Sequence, residues 1–215
     1  MAKKKRSNLQ QAGTDETPAA NGTSAATTDR RYIAAVACIL TLCLVVYFRT
    51  VFADFINFDD DAYVYENPNV LGGLSLKGIY WALTAVHSSN WHPLTWISHQ
   101  LDISLFGPNA AGHHAVNVLL HSANSVILFF FLRQITGAFW RSAVVAAIFA
   151  VHPVHVESVA WISERKDVLS TLFWLLSSIF YVRWAKGAGG SAGRRDYLIT
   201  LVLFVAGLAA KPMVV

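Results

Sequence analysis

The sequence predicts an all-α multi-pass membrane protein with about five transmembrane helices. Hydrophobic residues make up 54% of the 215 residues and charged residues only 14%, against roughly 25% charged residues in soluble domains. Mean hydropathy is +0.42, and apolar runs long enough to cross a hydrocarbon core of about 30 Å recur along the chain. This composition excludes a disordered protein for the bulk of the chain. The two cysteines, Cys38 and Cys43, lie in one apolar run, which excludes a disulfide scaffold.

Residues 1–31 form a polar, basic N-terminal segment that opens with three lysines and an arginine. Such a composition predicts a disordered cytoplasmic tail. The pI of about 9.2 is also typical of nucleic-acid-binding proteins. Because the basic residues flank apolar runs, however, a lipid bilayer is the expected partner and nucleic acid is not.

Residues 32–53 form the first predicted transmembrane helix, preceded by Arg30 and Arg31. A cleaved signal peptide is the alternative interpretation. The long polar region before the run, and the lack of a clean small-residue cleavage site after it, favour an uncleaved signal anchor.

Residues 54–111 are too polar to span a membrane and predict an extracytoplasmic loop. Two amphipathic stretches in it predict interfacial helices. Their apolar residues are Leu74, Leu76, Ile79, Tyr80 and Leu83 in the first, and Trp96, Ile97, Leu101, Leu105 and Phe106 in the second. A small soluble cap is the alternative for this segment.

Four further spans are predicted at residues 112–133, 140–160, 168–184 and 197–215, the last one truncated. Residues 185–196 are glycine-rich and predict a cytoplasmic linker. With the N-terminus in the cytoplasm, most basic residues fall on the inner side, as the positive-inside rule requires. These are Lys3, Lys4, Lys5, Arg6, Arg30, Arg31, Arg133, Arg141, Arg183, Lys186, Arg194 and Arg195. The expected location is the inner cell membrane.

This topology places two polar clusters on the same outer face. The first is Asp59-Asp60-Asp61. Adjacent carboxylates repel one another, which raises the pKa of one of them and suits a general base or a cation ligand. A helix N-cap or a solvated acidic loop is the alternative.

The second cluster runs from His152 to Asp167. His152 and His155 are three residues apart and share a helix face, with Glu157 to one side. Ionisable groups at membrane depth cost a few kcal/mol each, so a functional site or mutual pairing is expected. Arg165 and Lys166 have acidic neighbours, and simple interfacial ion pairs are the alternative for them.

Histidines are frequent, and those outside the second cluster are His87, His92, His99, His113, His114 and His121. Imidazole together with carboxylate binds zinc, but the HExxH pattern is absent. Histidines that form hydrogen bonds at an interface are the more common case.

Several motifs together carry a resemblance to a family. They are Phe58-Asp59-Asp60, Asn67-Pro68 with Val70, Asn90-Trp91-His92-Pro93-Leu94-Thr95-Trp96, Gly112-His113-His114 with Asn117 and His121, the run HPVHVESVAWISERKDVLS (152–170), and Lys211-Pro212-Met213. From about residue 30 onward the chain resembles the bacterial form of the transmembrane and tetratricopeptide repeat (TMTC-like) membrane proteins. That family is similar to the GT-C class of membrane glycosyltransferases. These enzymes transfer a sugar from a polyprenyl-phosphate carrier to an acceptor outside the cytoplasm, here expected to be a protein hydroxyl.

The resemblance implies roles for particular residues. Asp59 and Asp60 match the family's acidic pair and would supply the catalytic base, whereas Asp61 falls where members vary. Arg165 and Lys166 would hold the phosphate, and His92, His152, His155 and Glu157 would position the sugar or the acceptor. No cofactor is required with certainty, and the class leaves a divalent cation open.

Family members continue into further spans and tetratricopeptide repeats, but no repeat of about 34 residues occurs here. We therefore expect a fragment, a truncated reading frame or a degenerate copy, and the activity of this piece alone is open. Two other hypotheses remain at this point. One is a non-catalytic membrane scaffold that anchors a repeat-containing protein, and the other is a metal- or ion-handling membrane protein.

Overall fold

The computed structural model describes residues 21–187 and 190–212, with side chains from Arg30 onward. The chain divides into two compact units, Met1–Ala34 and Ala35–Val215. Of the predicted disordered tail, residues 1–20 lie outside the described residues, and the backbone from Asn21 is helical. Every contact discussed below lies within the second unit.

The described residues are helical apart from loops and one isolated bridge between His87 and Asn90, which confirms the predicted all-α class. In chain order the helices are α1 (Asn21–Tyr47), α2 (Pro68–Leu71), α3 (Leu76–Thr84), α4 (Pro93–Phe106), α5 (Ala110–Thr136), α6 (Phe139–Val151), α7 (Val156–Ala160), α8 (Arg165–Lys186) and α9 (Ser191–Ala210). Short turns of 3-10 helix at Phe48–Phe52, Pro153–His155 and Ile162–Glu164, and a π-helical turn at Asp61–Tyr65, connect them.

Three helical stretches are long and apolar enough to cross a membrane, namely Arg30–Phe52, Ala110–Thr136 and Ile162–Lys186. A fourth candidate is the pair Phe139–Val151 and Pro153–Ala160, which is bent by 48°. Pro153 explains the bend, because proline disfavours a helical conformation at the residue before it and has no N–H to donate. The four candidates coincide with the first four predicted spans, so the chain is an all-α membrane protein.

The fifth predicted span falls on α9, which is not among these candidates. Arg194, Arg195 and Asp196 lie in its first turns. The apolar stretch after them, residues 197–210, is shorter than the roughly 20 residues that a spanning helix needs. Residues 213–215 lie outside the described residues, so a fifth span remains a prediction.

The segment between the first two spans folds around its own apolar core. Trp96 is fully buried there, with its ring 4.5 Å from that of Tyr63 and 5.5 Å from that of Trp81. The prediction that Trp96 lies on an interfacial face is therefore wrong, because these aromatic neighbours take it into the core. The exposed apolar residues of α3 are Leu76, Tyr80 and Leu83, and those of α4 are Leu101, Leu105 and Phe106.

Side-chain caps explain where two of these helices begin. The Ser75 hydroxyl accepts a hydrogen bond from the Gly78 N–H at the start of α3. The Asn109 side chain does the same for Ala111 at the start of α5. Such caps satisfy backbone donors that have no partner within the helix. Because Asn109 begins α5, it also fixes where the segment returns to the second span.

Candidate active site

The two polar clusters predicted to share a face contact each other directly. The backbone N–H of Ser163 donates to Oδ1 of Asp60 at 2.9 Å. The Trp161 indole N–H donates to the Phe58 carbonyl at 3.2 Å, and the rings of Phe58 and Trp161 lie 5.5 Å apart. Residues 58–60 are therefore held against residues 161–163, although more than 100 positions separate them.

Asp60 is fully buried at this contact. Its second carboxylate oxygen accepts a hydrogen bond from the Ile56 N–H at 3.0 Å. Burial raises the pKa of the Asp60 carboxyl, and the hydrogen bonds from Ile56 and Ser163 oppose that rise in part. With both oxygens engaged by backbone N–H groups, Asp60 holds two segments of the chain together.

Asp59 lies in a different environment from its neighbour. It is exposed, and its φ of +65° lies in the left-handed region, which costs a residue other than glycine roughly 1 kcal/mol or more. The Tyr63 N–H donates to the Asp59 carbonyl at 2.8 Å, and the Asp60 contacts hold the next residue. The surrounding bonds thus keep this strained backbone in place and leave the Asp59 carboxylate facing solvent.

Lys166 lies beside this acidic segment, across the ring of Tyr63. Its ammonium is 5.0 Å from the centre of that ring and 2.6 Å from Oε1 of Glu164. Burial raises the pKa of Tyr63 to about 12, and the charges of Asp59 and Glu164 add to the rise. Lys166 thus contacts the Tyr63 ring, and the charges of Asp59 and Glu164 act on the same side chain.

A cavity of about 440 Å³, here called the loop cavity, opens next to Lys166. It is lined by Ser89, Asn90, Trp91, His92, Lys166, Lys211 and Pro212. His92 is buried, and Nδ1 of its ring has no hydrogen-bond partner among the described residues. Burial lowers the pKa of His92 to about 4, with the charges of Lys166 and Lys211 as the next causes. Two ammonium groups and a neutral imidazole line this cavity, and each ammonium is paired with a carboxylate, Lys166 with Glu164 and Lys211 with Asp167. An anion bound here would share these cations with the two carboxylates.

A second cavity, of about 360 Å³ and here called the bundle cavity, lies between the helices. It is lined by His121, Asn124, Phe149, His155, Ser158, Asp167, Val168, Ser170, Thr171, Trp174 and Lys211. Lys211 lines both cavities and forms an ion pair with Asp167. Its position depends on Thr95 of α4, whose hydroxyl donates to the Ala210 carbonyl at 2.9 Å.

Arg165, predicted to hold a phosphate, is fully buried. Its Nη1 donates to Oδ2 of Asp102 at 2.5 Å, its Nε to Oδ1 of Asn117 and its Nη2 to the His113 carbonyl, the last two at 2.6 Å. Because its hydrogen bonds are made inside the protein, the guanidinium ties α4, α5 and α8 together and is not presented to either cavity.

The other predicted site residues fall in three places. His92 and Lys166 line the loop cavity, and His155 lines the bundle cavity. His152 and Glu157 are exposed and line neither cavity. The His152 ring caps the turn at residues 153–155 by accepting the N–H of Val154 at 3.2 Å, which gives it a local structural role.

One cluster among the described residues has a ligand set suited to a metal ion, namely His99, Asp102 and His113. The Nδ1 atoms of the two histidines lie 3.2 Å apart, and Nδ1 of His113 is 3.1 Å from Oδ2 of Asp102. That same carboxylate oxygen is bonded to Arg165. Since the arginine already neutralises Asp102 in a buried setting, an added dication would be strongly disfavoured. The cluster fits a polar network better than a metal centre.

Sequence reasoning did not assign roles to Lys211, Asp167 or Asn124, all of which line the bundle cavity. A signal for Lys211 was present, because an isolated charge at the end of an apolar run indicates a functional residue. Asn124 gave a weaker signal as an amide in the middle of the second span.

Comparison with curated proteins finds relatives over most of this chain. Protein O-mannosyl-transferase TMTC2 of Mus musculus is 33% identical over 158 residues, which are 70% of this chain and 19% of that protein. Protein O-mannosyl-transferase Tmtc2 of Drosophila melanogaster is 30% identical over 181 residues, 80% of this chain and 19% of that protein. Protein O-mannosyl-transferase Tmtc1 of the same fly is 29% identical over 193 residues, 86% and 22% respectively.

No family model matches the chain, and no solved structure does. The chain spans about a fifth of the length of the relatives described above. The homologues of this chain are therefore the TMTC1 and TMTC2 protein O-mannosyl-transferases, at about 30% identity over 70–85% of its residues.

Proposed function

We propose that this chain is a GT-C-type membrane glycosyltransferase, or the N-terminal part of one. In this proposal it transfers a mannosyl residue from a polyprenyl-phosphate carrier to a hydroxyl of a protein acceptor. The names of the relatives support the sugar and the protein acceptor. The site would face the extracytoplasmic side of the inner membrane, where a lipid-borne donor can meet a soluble acceptor.

The observation that carries the proposal is the placement of Asp59. Its carboxylate is exposed and its backbone is held in a left-handed conformation. It lies beside Tyr63, over whose ring Lys166 extends from the other segment. The proposed base and a cation thus belong to two segments that meet at Tyr63. Strained backbone of this kind is found preferentially at functional sites.

The proposed reaction is a single displacement at the anomeric carbon. The acceptor hydroxyl oxygen bonds to that carbon, and the bond from the carbon to the phosphate oxygen breaks with its electron pair leaving on the phosphate. The hydroxyl proton passes to the Asp59 carboxylate, which acts as general base. The departing phosphate is already a stable anion, so no general acid is needed.

In this proposal Lys166 and Lys211 replace Arg165 as the phosphate-binding groups, because both line the loop cavity. Cationic groups aimed at the developing negative charge stabilise the transition state. His92, being neutral, can donate or accept a hydrogen bond there. Asp60 would be a positioning residue that fixes the backbone of its neighbour.

The test is mannosyl transfer from polyprenyl-phosphate mannose to a serine- and threonine-containing peptide by the protein reconstituted in vesicles. Asp59→Asn is expected to lower the rate by about 10²–10⁴, the usual contribution of a general base. Asp61→Asn is the matched control, because the Asp61 carboxylate accepts the N–H of its neighbour Ala62, and it should retain activity. Equal activity of Asp59→Asn and the wild type would contradict the base assignment.

Adding and then chelating Mg²⁺ or Mn²⁺ in the same assay tests whether transfer requires a divalent cation.

A further inference from the structure

The bundle cavity is unusually polar for its position. Its walls come mainly from α5, α8 and the bent pair Phe139–Val151 and Pro153–Ala160, which are candidate spans, yet they include Asn124, His155 and Asp167. Polar groups at membrane depth are costly unless they pair with one another or serve a ligand. At about 360 Å³ the cavity lies within the ~300–1,000 Å³ range of small-molecule sites. Its lining disfavours a lipid acyl chain as the occupant.

Asn124 offers an acceptor that the protein does not use. It is buried, with 1% of its surface exposed, and its amide donates to the Val168 carbonyl at 2.8 Å. The side-chain oxygen Oδ1 has no hydrogen-bond partner among the described residues. A buried acceptor left without a partner costs about 1–3 kcal/mol, so a ligand hydroxyl that donates to it would recover that energy.

Aromatic and charged residues complete the cavity. Phe149 packs against His155 with ring centres 4.3 Å apart. Trp174, which belongs to α8, also lines the cavity. The Asp167 carboxylate accepts the Ser158 hydroxyl at 3.1 Å and pairs with Lys211. Apolar ring faces beside hydrogen-bonding groups match a hexose, which has apolar C–H faces and a rim of hydroxyls.

Lys211 connects this cavity to the loop cavity, since it lines both. A ligand with a phosphate in one cavity and a hexose in the other would place the bond between them beside its ammonium. We propose that the bundle cavity is the site for the hexose of the donor. Asn124 and Asp167 hold its hydroxyls, Trp174 contacts its ring, and Lys211 lies at the link between sugar and phosphate. This inference rests on the proposed function and assigns it a sugar pocket.

The test compares two probes, polyprenyl-phosphate mannose and polyprenyl phosphate without a sugar, each binding to the protein in phosphatidylcholine vesicles. Trp174→Ala should weaken binding of the mannosylated carrier about tenfold and change binding of the bare carrier less than about twofold. Trp184→Ala is the matched control. It lies on the same helix with similar exposure, 39% against 44%, but it contacts Tyr181 and Tyr197 away from the cavity.

A second variant, Thr171→Leu, narrows the same cavity with a larger apolar side chain and should show the same selectivity. If the wild type prefers the mannosylated carrier and neither variant reduces that preference, the sugar pocket is overturned while the proposed function stands. If the wild type binds both carriers equally, the sugar pocket is likewise overturned. If the wild type binds neither carrier, the proposed function fails, and this inference with it.

Discussion

Asp59 and Asp60 are neighbours of the same residue type, yet the fold gives them different environments. Asp60 is buried with both oxygens engaged, and Asp59 is exposed on a strained backbone. A sequence pattern cannot separate the two, because burial depends on residues 161–163 packing against them. The same holds for Arg165 and Lys166, of which only the second reaches a cavity.

The Arg165–Asp102 pair provides a direct test of that burial. Arg165→Met should destabilise the protein by about 3–5 kcal/mol, because it leaves the buried Asp102 carboxylate without its arginine partner. The double variant Arg165→Met with Asp102→Asn should recover part of the loss. Unfolding in detergent measures both effects.

Arg183→Met is the control for this experiment. Arg183 pairs with Asp196, but its side chain is 47% exposed, so its loss should cost less than about 1 kcal/mol. A similar cost for the two single variants would show that Arg165 is not a buried structural residue.

His92 predicts a pH dependence of stability. Its pKa is lowered to about 4 in the folded protein, first by burial, from the ordinary value of 6.5. Between these two values the unfolded chain binds more protons than the folded one, so the free energy of unfolding falls as the pH drops from about 6.5 to about 4.

His92→Gln should reduce this slope, as measured by unfolding in detergent at a series of pH values. Some slope should remain, because burial also lowers the pKa of His99. His152→Gln removes an imidazole from an exposed position and is the control, which should change the slope less than His92→Gln does. The prediction fails if both variants behave alike.

Among the helices, α4 differs most from its predicted role. The sequence pattern suggested an interfacial helix, but its inward side carries Trp96 together with Thr95, His99 and Asp102, all buried. Two of these polar residues are satisfied by other parts of the bundle, Thr95 by the Ala210 carbonyl and Asp102 by Arg165. The helix therefore connects the segment between the first two candidate spans to the helix bundle.

The close contact between Ser104 of α4 and the loop that holds Gly73, between α2 and α3, can be tested by substituting that glycine. Gly73 has a φ of +66°, and a Cβ there would lie 2.7 Å from the Ser104 hydroxyl oxygen. Gly137 has a φ of +71° and a ψ of −7°, which is the left-handed helical conformation, and a Cβ there would meet Nη1 of Arg133 at an ordinary 3.7 Å. Gly137→Ala should therefore cost about 1 kcal/mol, from backbone strain alone.

Gly73→Ala should cost that strain and roughly 1–3 kcal/mol more, from overpacking. Adding Ser104→Ala should relieve the extra cost, although it also removes the hydrogen bond from the Leu74 N–H. Free energies of unfolding compare the variants, and equal costs at Gly73 and Gly137 would contradict the close approach.

At the scale of the whole molecule, the proposed function requires that the two polar clusters lie on the same side of the membrane. Their direct contact agrees with the expectation that they share a face. Which side of the membrane that face occupies follows from the distribution of Lys and Arg and remains a prediction.

Cysteine labelling tests this orientation. With Cys38 and Cys43 replaced by alanine, Ser88→Cys should react with a membrane-impermeant maleimide in intact cells. Ser191→Cys should react only after the cells are permeabilised. Both serines are exposed, so accessibility within the protein is matched, and the reverse labelling pattern would invert the proposed topology.

The sequence was sufficient for the helical class and for the presence of apolar helices long enough to cross a membrane, because both depend on local composition and periodicity. It could not tell which charged residues are free to act. Arg165 is buried by partners as far as 63 positions away in the chain, and Lys211 is positioned by a hydrogen bond between residues 115 positions apart. Burial and pairing across such separations arise only when the helices pack, and they determine which side chains line the two cavities.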